Sequence, residues 1–75
     1  MRTEKECKEY LIRLGKRLRD IRTRKGWTLE ETEEHGWPSW RHLQKVESGK
    51  NITVATLWKI SKVYKVPIHE ILKEV

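Results

Sequence analysis

Seven basic side chains fall within thirteen positions, Arg13, Lys16, Arg17, Arg19, Arg22, Arg24 and Lys25, opposed by Asp20 alone. A run of this density has one obvious chemistry, the neutralisation of phosphate. The bland alternative is the solvated face of a helix, and charge by itself does not separate the two. Catalytic and metal chemistry is not indicated. The single cysteine, Cys7, and the three histidines, His35, His42 and His69, share no ligand spacing. There is no Ser/His/Asp or Cys/His pairing, carboxylate dyad or phosphate-cradling glycine loop. The residues therefore predict neither an enzyme nor a bound cofactor or metal.

The chain has 75 residues and a net charge of +6, from 17 Lys and Arg against 11 Asp and Glu. A chain this short buries only about 60% of the surface its unfolded form exposes, which predicts a single domain over residues 1–75. Its stretches without charge fall short of the roughly 20 apolar residues that span a bilayer, and residues 1–10 lack the apolar core of a secretory signal. The expectation is a soluble, cytoplasmic protein. The charge is unevenly spread: residues 1–12 balance, the basic block follows, and Glu30, Glu31, Glu33 and Glu34 then reverse the sign.

Helical spacing supplies the elements that position these groups. Cys7, Tyr10, Leu11, Leu14, Leu18 and Ile21 recur at steps of three and four, which predicts helix 1 from about Glu4 to Lys25, stopped by Gly26. Thr28, three residues before Glu31, has the form of a capping box opening a short helix 2 over Leu29 to His35. Gly36 breaks it, Pro38 and Ser39 prepare helix 3 from Trp40 to Glu47 or Ser48, and Gly49 ends that. Leu43 and Val46 form the inward face of helix 3. Thr53 caps helix 4, which carries Val54, Leu57, Trp58, Ser61 and Tyr64 until Val66 and Pro67 close it. Helix 5 is a last turn or two, with Ile68, Ile71, Leu72 and Val75 on one side. The fold class is all-α.

Two short helices joined by a tight turn, the second opening on polar and cationic residues, have the form that enters a DNA major groove. The run Leu18-Arg19-Asp20-Ile21-Arg22, then Lys25-Gly26-Trp27-Thr28, then Ser39 through Glu47-Ser48-Gly49-Lys50, then Leu57 to Ile60 and Val66 to Ile71, resembles the Xre/Cro-type helix-turn-helix family of phage and bacterial repressors. The resemblance covers about residues 14–72. Its most specific parts are Arg-x-x-Lys-Gly at the end of helix 1 and Val-Glu-x-Gly at the end of helix 3, 24 residues apart counted inclusively from Gly26 to Gly49. It implies a five-helix, lambda-repressor-like domain whose helix-turn-helix is made by helices 2 and 3.

The resemblance also implies roles. Trp40, Arg41, Gln44 and Lys45 would face base edges, Trp40 alternatively being a packing residue. Ser39 would cap helix 3 and bond a phosphate, and Thr28, Ser48 and Lys50 would meet the sugar-phosphate backbone. Arg22 and Glu47 would form an internal ion pair, the alternative being that Arg22 joins the phosphate surface. The chain departs from the family pattern at Leu29, where a phosphate-gripping glutamine is usual, and at Thr32 and Glu33, where leucine and a small alanine are usual. The turn glycine, Gly36, also falls one residue early, leaving Trp37 in its place. Trp37 is expected to fill the space left by Thr32 and Gly36. Four glutamates on helix 2 would repel phosphate, so either helix 2 is rotated or its acidic side points away from DNA.

Two functions follow. The first is a sequence-specific regulator of transcription, of repressor or controller type, binding a partly palindromic double-stranded DNA site as a homodimer. Trp58, Ile68, Ile71, Leu72 and Val75 are its candidate dimer surface, with plain core packing as the alternative for all five and the favoured one for Ile68 and Ile71. The second is a protein-interaction module, such as an antitoxin-like accessory subunit, using acidic helix 2 and an exposed Trp37/Trp40 pair.

Overall fold

Helix 1 spans Arg2–Arg24 in the computed structural model, which describes residues 2–75. It is followed by helix 2 (Glu30–His35), helix 3 (Trp40–Glu47), helix 4 (Val54–Tyr64) and helix 5 (Ile68–Ile71), and no strand occurs among the described residues. Twenty-three helical residues at 1.5 Å each measure about 35 Å, against transverse dimensions of 23 and 21 Å for the molecule. The first turns of helix 1 therefore run past the core. Leu14, Leu18 and Ile21 are buried, whereas Cys7 and Tyr10, expected on the same inward face, are exposed. The spacing names the correct stripe, but Cys7 and Tyr10 lie beyond the reach of the core, Cys7 beside an open recess shared with residues 48–51.

The core joins those three residues to Trp37, Leu43 and Val46 from the helix-turn-helix and to Leu57, Ile60, Tyr64 and Ile71 from helices 4 and 5. Ile71, one of the candidate dimer residues, is fully buried and is a packing residue. Arg17 fastens helix 5 to helix 1: its Nε and Nη2 donate to the carbonyls of Ile71 and Glu70, at 3.3 and 3.0 Å. A cation at the carboxyl end of a helix also suits the helix dipole. Helix 4 stops one residue before the expected close, because Lys65 takes a left-handed conformation (φ 58°) and returns its N–H to the Ser61 carbonyl.

Helix 2 is a 3-10 helix rather than an α-helix. The Leu29 carbonyl accepts both the N–H and the hydroxyl of Thr32, which tightens the turn to a three-residue repeat. Thr32 is the one buried residue of this segment, and Glu30, Glu33 and Glu34 are exposed. Gly36 then turns the chain with φ 104°.

Helices 1 and 3 cross at Gly15. A Cβ there would lie 2.5 Å from the Glu47 carbonyl oxygen and 2.7 Å from that of Val46. Both are backbone atoms and cannot swing aside. Gly49 faces helix 1 in the same way, with φ 98° and Ile12 Cγ1 2.8 Å from where a Cβ would sit.

Two stability measurements follow. Gly15→Ala forces helices 1 and 3 apart and lowers the free energy of urea unfolding by about 2–3 kcal/mol. The Tyr64 hydroxyl is buried without a hydrogen-bond partner, and burial pushes its phenol well above the ordinary tyrosine pKa. Tyr64→Phe therefore leaves stability unchanged or raises it by about 1 kcal/mol; a clear loss in the same urea titration would mean that the hydroxyl is bonded.

Candidate nucleic-acid interface

Helix 3 is built to show one face. Ser39 caps it from an extended conformation, accepting the His42 N–H at 3.4 Å. Leu43 and Val46 turn inward and are buried, which leaves Arg41, His42, Gln44 and Lys45 exposed on the opposite side. Trp40 is half-buried, and the Arg41 guanidinium lies 5.3 Å from the centre of its ring. The indole thus supports the arginine through a cation–π contact. Three of the four residues implied as base-facing share an open surface, and the fourth shapes the position of one of them.

Trp37 does not share that surface. It is only 4% exposed, donates its indole N–H to the Ser39 carbonyl at 2.8 Å and stacks on His42. The expected pair of exposed tryptophans is therefore not formed. The space beneath Thr32 and Gly36 is occupied, because Trp37 joins the core and its backbone N–H bonds the Thr32 carbonyl at 3.0 Å.

The end of helix 3 is held by a clamp. Arg22 donates from Nε and Nη2 to the two Glu47 oxygens, at 2.7 and 2.9 Å, and from Nη1 to the Trp27 carbonyl at 2.7 Å. Bonding to Glu47 raises the arginine pKa still further, so the guanidinium stays charged. All of this guanidinium is committed inside the domain, which removes Arg22 from the phosphate surface. After the clamp, the Lys50 N–H returns to the Lys45 carbonyl and the Ser48 hydroxyl donates to the same oxygen at 2.7 Å, while the Lys50 side chain is exposed.

Both amino termini of the helix-turn-helix carry a carboxylate of the chain itself. Glu31 accepts the Thr28 N–H at 2.9 Å and gives its own N–H to the Thr28 hydroxyl at 3.1 Å. These bonds to Thr28 hold the Glu31 carboxyl below the usual carboxylate range. Glu33 accepts the Trp40 N–H at 2.8 Å and so ties helix 2 to the first turn of helix 3. The capping box is visible in the sequence, but the Glu33 contact is not. It joins residues of two elements seven positions apart, and its signal is only that a helix opening on Trp40 has free N–H groups to satisfy.

Between helix 1 and these elements lies a groove of about 290 Å³ lined by Arg19, Arg22, Leu29, Gln44, Glu47 and Ser48. The same constellation is matched by a family model for the helix-turn-helix, over residues 18–71. The chain belongs to the Xre/Cro-type helix-turn-helix family. No curated protein and no solved structure matches it. Membership makes this helix-turn-helix domain one of the DNA-binding, transcription-regulator type, and no described helix is long and apolar enough to cross a membrane.

The clamp gives a sharp stability prediction. Glu47→Ala strands the Arg22 cation in a site where the two side chains are only 9% and 7% exposed, and such a loss costs about 3–5 kcal/mol. The double variant Arg22→Met with Glu47→Leu recovers most of that stability in urea unfolding, because no unpaired charge remains.

Proposed function

We propose that this chain is a sequence-specific transcriptional regulator, of repressor or controller type, which reads double-stranded DNA with helix 3 and acts as a homodimer on a partly palindromic site. The observation that supports this reading is the outward face of helix 3. Arg41, Gln44 and Lys45 are exposed on a helix whose inner face is buried and whose end is fixed by the Arg22–Glu47 pair.

The chemistry of those side chains suggests their targets. Arg41 presents a planar fork to guanine, and Gln44 pairs with adenine, each worth about 1–3 kcal/mol of discrimination. Trp40 supports Arg41 and meets a thymine methyl or a sugar. Lys45 adds charge over the groove, and Ser39, Thr28, Ser48 and Lys50 meet the backbone. The Ser39 and Thr28 oxygens each accept a backbone N–H, which leaves their hydroxyl protons available to phosphate. One such helix reads few base pairs, and a dimer doubles the reading. Trp58 of helix 4, 52% exposed, is the natural anchor of a dimer surface, with the half-buried Ile68, Leu72 and Val75 contributing at its edge.

Selection from a random DNA library, followed by titration of the selected duplex at two salt concentrations, tests the reading; equal affinity for selected and random duplexes overturns it. Arg41→Ala is expected to relax specificity at one position of each half-site. Lys50→Ala is expected to weaken all sequences alike and to lower the salt slope by about 1. Indistinguishable effects of the two variants would refute these roles.

A further inference from the structure

The basic block of helix 1 is largely consumed by the fold. Arg22 belongs to the clamp, Arg17 holds the carbonyls of helix 5, and Arg24 pairs with Asp20 at 3.1 Å. Arg13 lies over the Tyr10 ring and Lys25 over the Trp27 ring, at 5.7 and 5.2 Å from the ring centres. Lys16 and Arg19 are the two cations of the block without an ion pair, a hydrogen bond or a ring contact among the described residues. They stand three residues apart, on one side of helix 1, and both are exposed. They share a shallow recess with Asp20 and Thr23, and Arg19 also lines the groove it shares with Leu29, Gln44 and Ser48. A cation there stands beside the open face of helix 3, between the start of helix 2 and the end of helix 3.

The usual places for phosphate on such a motif are helix amino termini, where free N–H groups and the helix dipole favour an anion. In this chain several of those N–H groups are already bonded by the chain itself, those of Glu31 and His42 by the Thr28 and Ser39 hydroxyls. Glu31 holds that of Thr28 and Glu33 that of Trp40, and each brings a negative charge. The Leu29 side chain, which lines the groove, offers no polar atom there. Of the acids near the groove, Glu47 is neutralised by Arg22, and exposed Glu30 lies close enough to act on the Arg22 charge.

We infer that Arg19, with Lys16 one turn before it, is the main phosphate grip of this domain, holding the DNA strand that borders helix 3, with the Ser39 and Thr28 hydroxyls as lesser contacts at the helix amino termini. This rests on the DNA-binding reading above. The guanidinium of Arg19 offers a bidentate fork to a phosphate, and Lys16 extends the positive surface along the strand. Such a contact carries no base information and sets the position of helix 3 in the groove.

The test uses the full chain, the selected duplex and a random duplex, titrated over a series of salt concentrations. Arg19→Gln is expected to weaken both duplexes about tenfold and to lower the slope of log K against log salt by about 1. Lys16→Gln acts in the same direction, and Arg19→Lys retains the slope. Arg24→Gln removes the same charge from the same helix at a side chain 72% exposed and paired with Asp20, so it changes affinity by less than about threefold and leaves the slope unchanged. Unaltered melting temperatures establish that each variant is folded. Equal losses in Arg19→Gln and Arg24→Gln would reduce the effect to net charge and overturn the inference, as would an unchanged slope in Arg19→Gln. If the unmodified chain prefers no duplex, the DNA-binding reading itself fails. If it does prefer one, and Arg41→Ala relaxes that preference while Arg19→Gln has no effect, only the phosphate grip is refuted.

Discussion

The orientation of helix 3 depends on the three-way clamp of Arg22, Glu47 and the Trp27 carbonyl. It ties the end of helix 1, the loop before helix 2 and the end of helix 3 through one guanidinium. A buried ion pair is a weak source of net stability, because desolvation offsets most of the attraction. Its value here is geometric. Two parallel bonds to a carboxylate tolerate little rotation, so the angle at which helix 3 leaves the core is set by the plane of the arginine. Gly15 makes that angle possible by letting the backbone of helix 1 touch the last carbonyls of helix 3. Clamp and crossing lie at the same end of the recognition helix, and its amino end is left to be fixed separately.

That second fixing falls to the acidic segment. Helix 2 departs from the family pattern wherever it would ordinarily pack, yet each departure has a local answer. Thr32 closes on the Leu29 carbonyl, Trp37 supplies the apolar volume that a leucine and a glycine turn would otherwise arrange, and Glu33 reaches the Trp40 N–H. The four glutamates thus include two caps, Glu31 and Glu33, which keep their charge at the helix ends, while Glu30 and Glu34 stay exposed. The consequence is a helix-turn-helix whose two amino ends are tied by its own side chains, with less room for anions at the usual places.

Much of this architecture is legible in the sequence. Helical spacing places Leu14, Leu18 and Ile21 on one stripe, and Ser39, Thr53 and the Thr28–Glu31 box mark three helix starts, because caps are local and a side chain three residues away either reaches or does not. The same spacing fails at Cys7 and Tyr10, since periodicity says which face is apolar and not whether anything covers it. The Arg22–Glu47 pair is implied only by the family resemblance, there being no local signal for two residues 25 positions apart. Gly15, Arg17 and the Glu33 cap are not legible at all: each is a long-range fit whose residue type looks ordinary in the chain. In the candidate site, the sequence marks which side chains of helix 3 face outward and offers Trp37 both as filler of the space left by Thr32 and Gly36 and as half of an exposed pair, and only its packing in three dimensions selects the first.

The net charge of +6 takes a different meaning once each cation is placed. Counting charges along the chain makes the basic block a phosphate surface of seven groups. Counting partners in space leaves Lys16 and Arg19, since the others are used to anchor helix 5, to close the clamp, to pair with Asp20 or to lie on aromatic rings. Long-range attraction to a polyanion depends on the sum and is blind to this difference. A grip on a particular phosphate depends on a side chain free to form new bonds, and paired cations must first break existing ones. A basic block can therefore steer DNA toward the whole of helix 1 while only one narrow ridge of it, next to helix 3, is equipped to hold the strand in register.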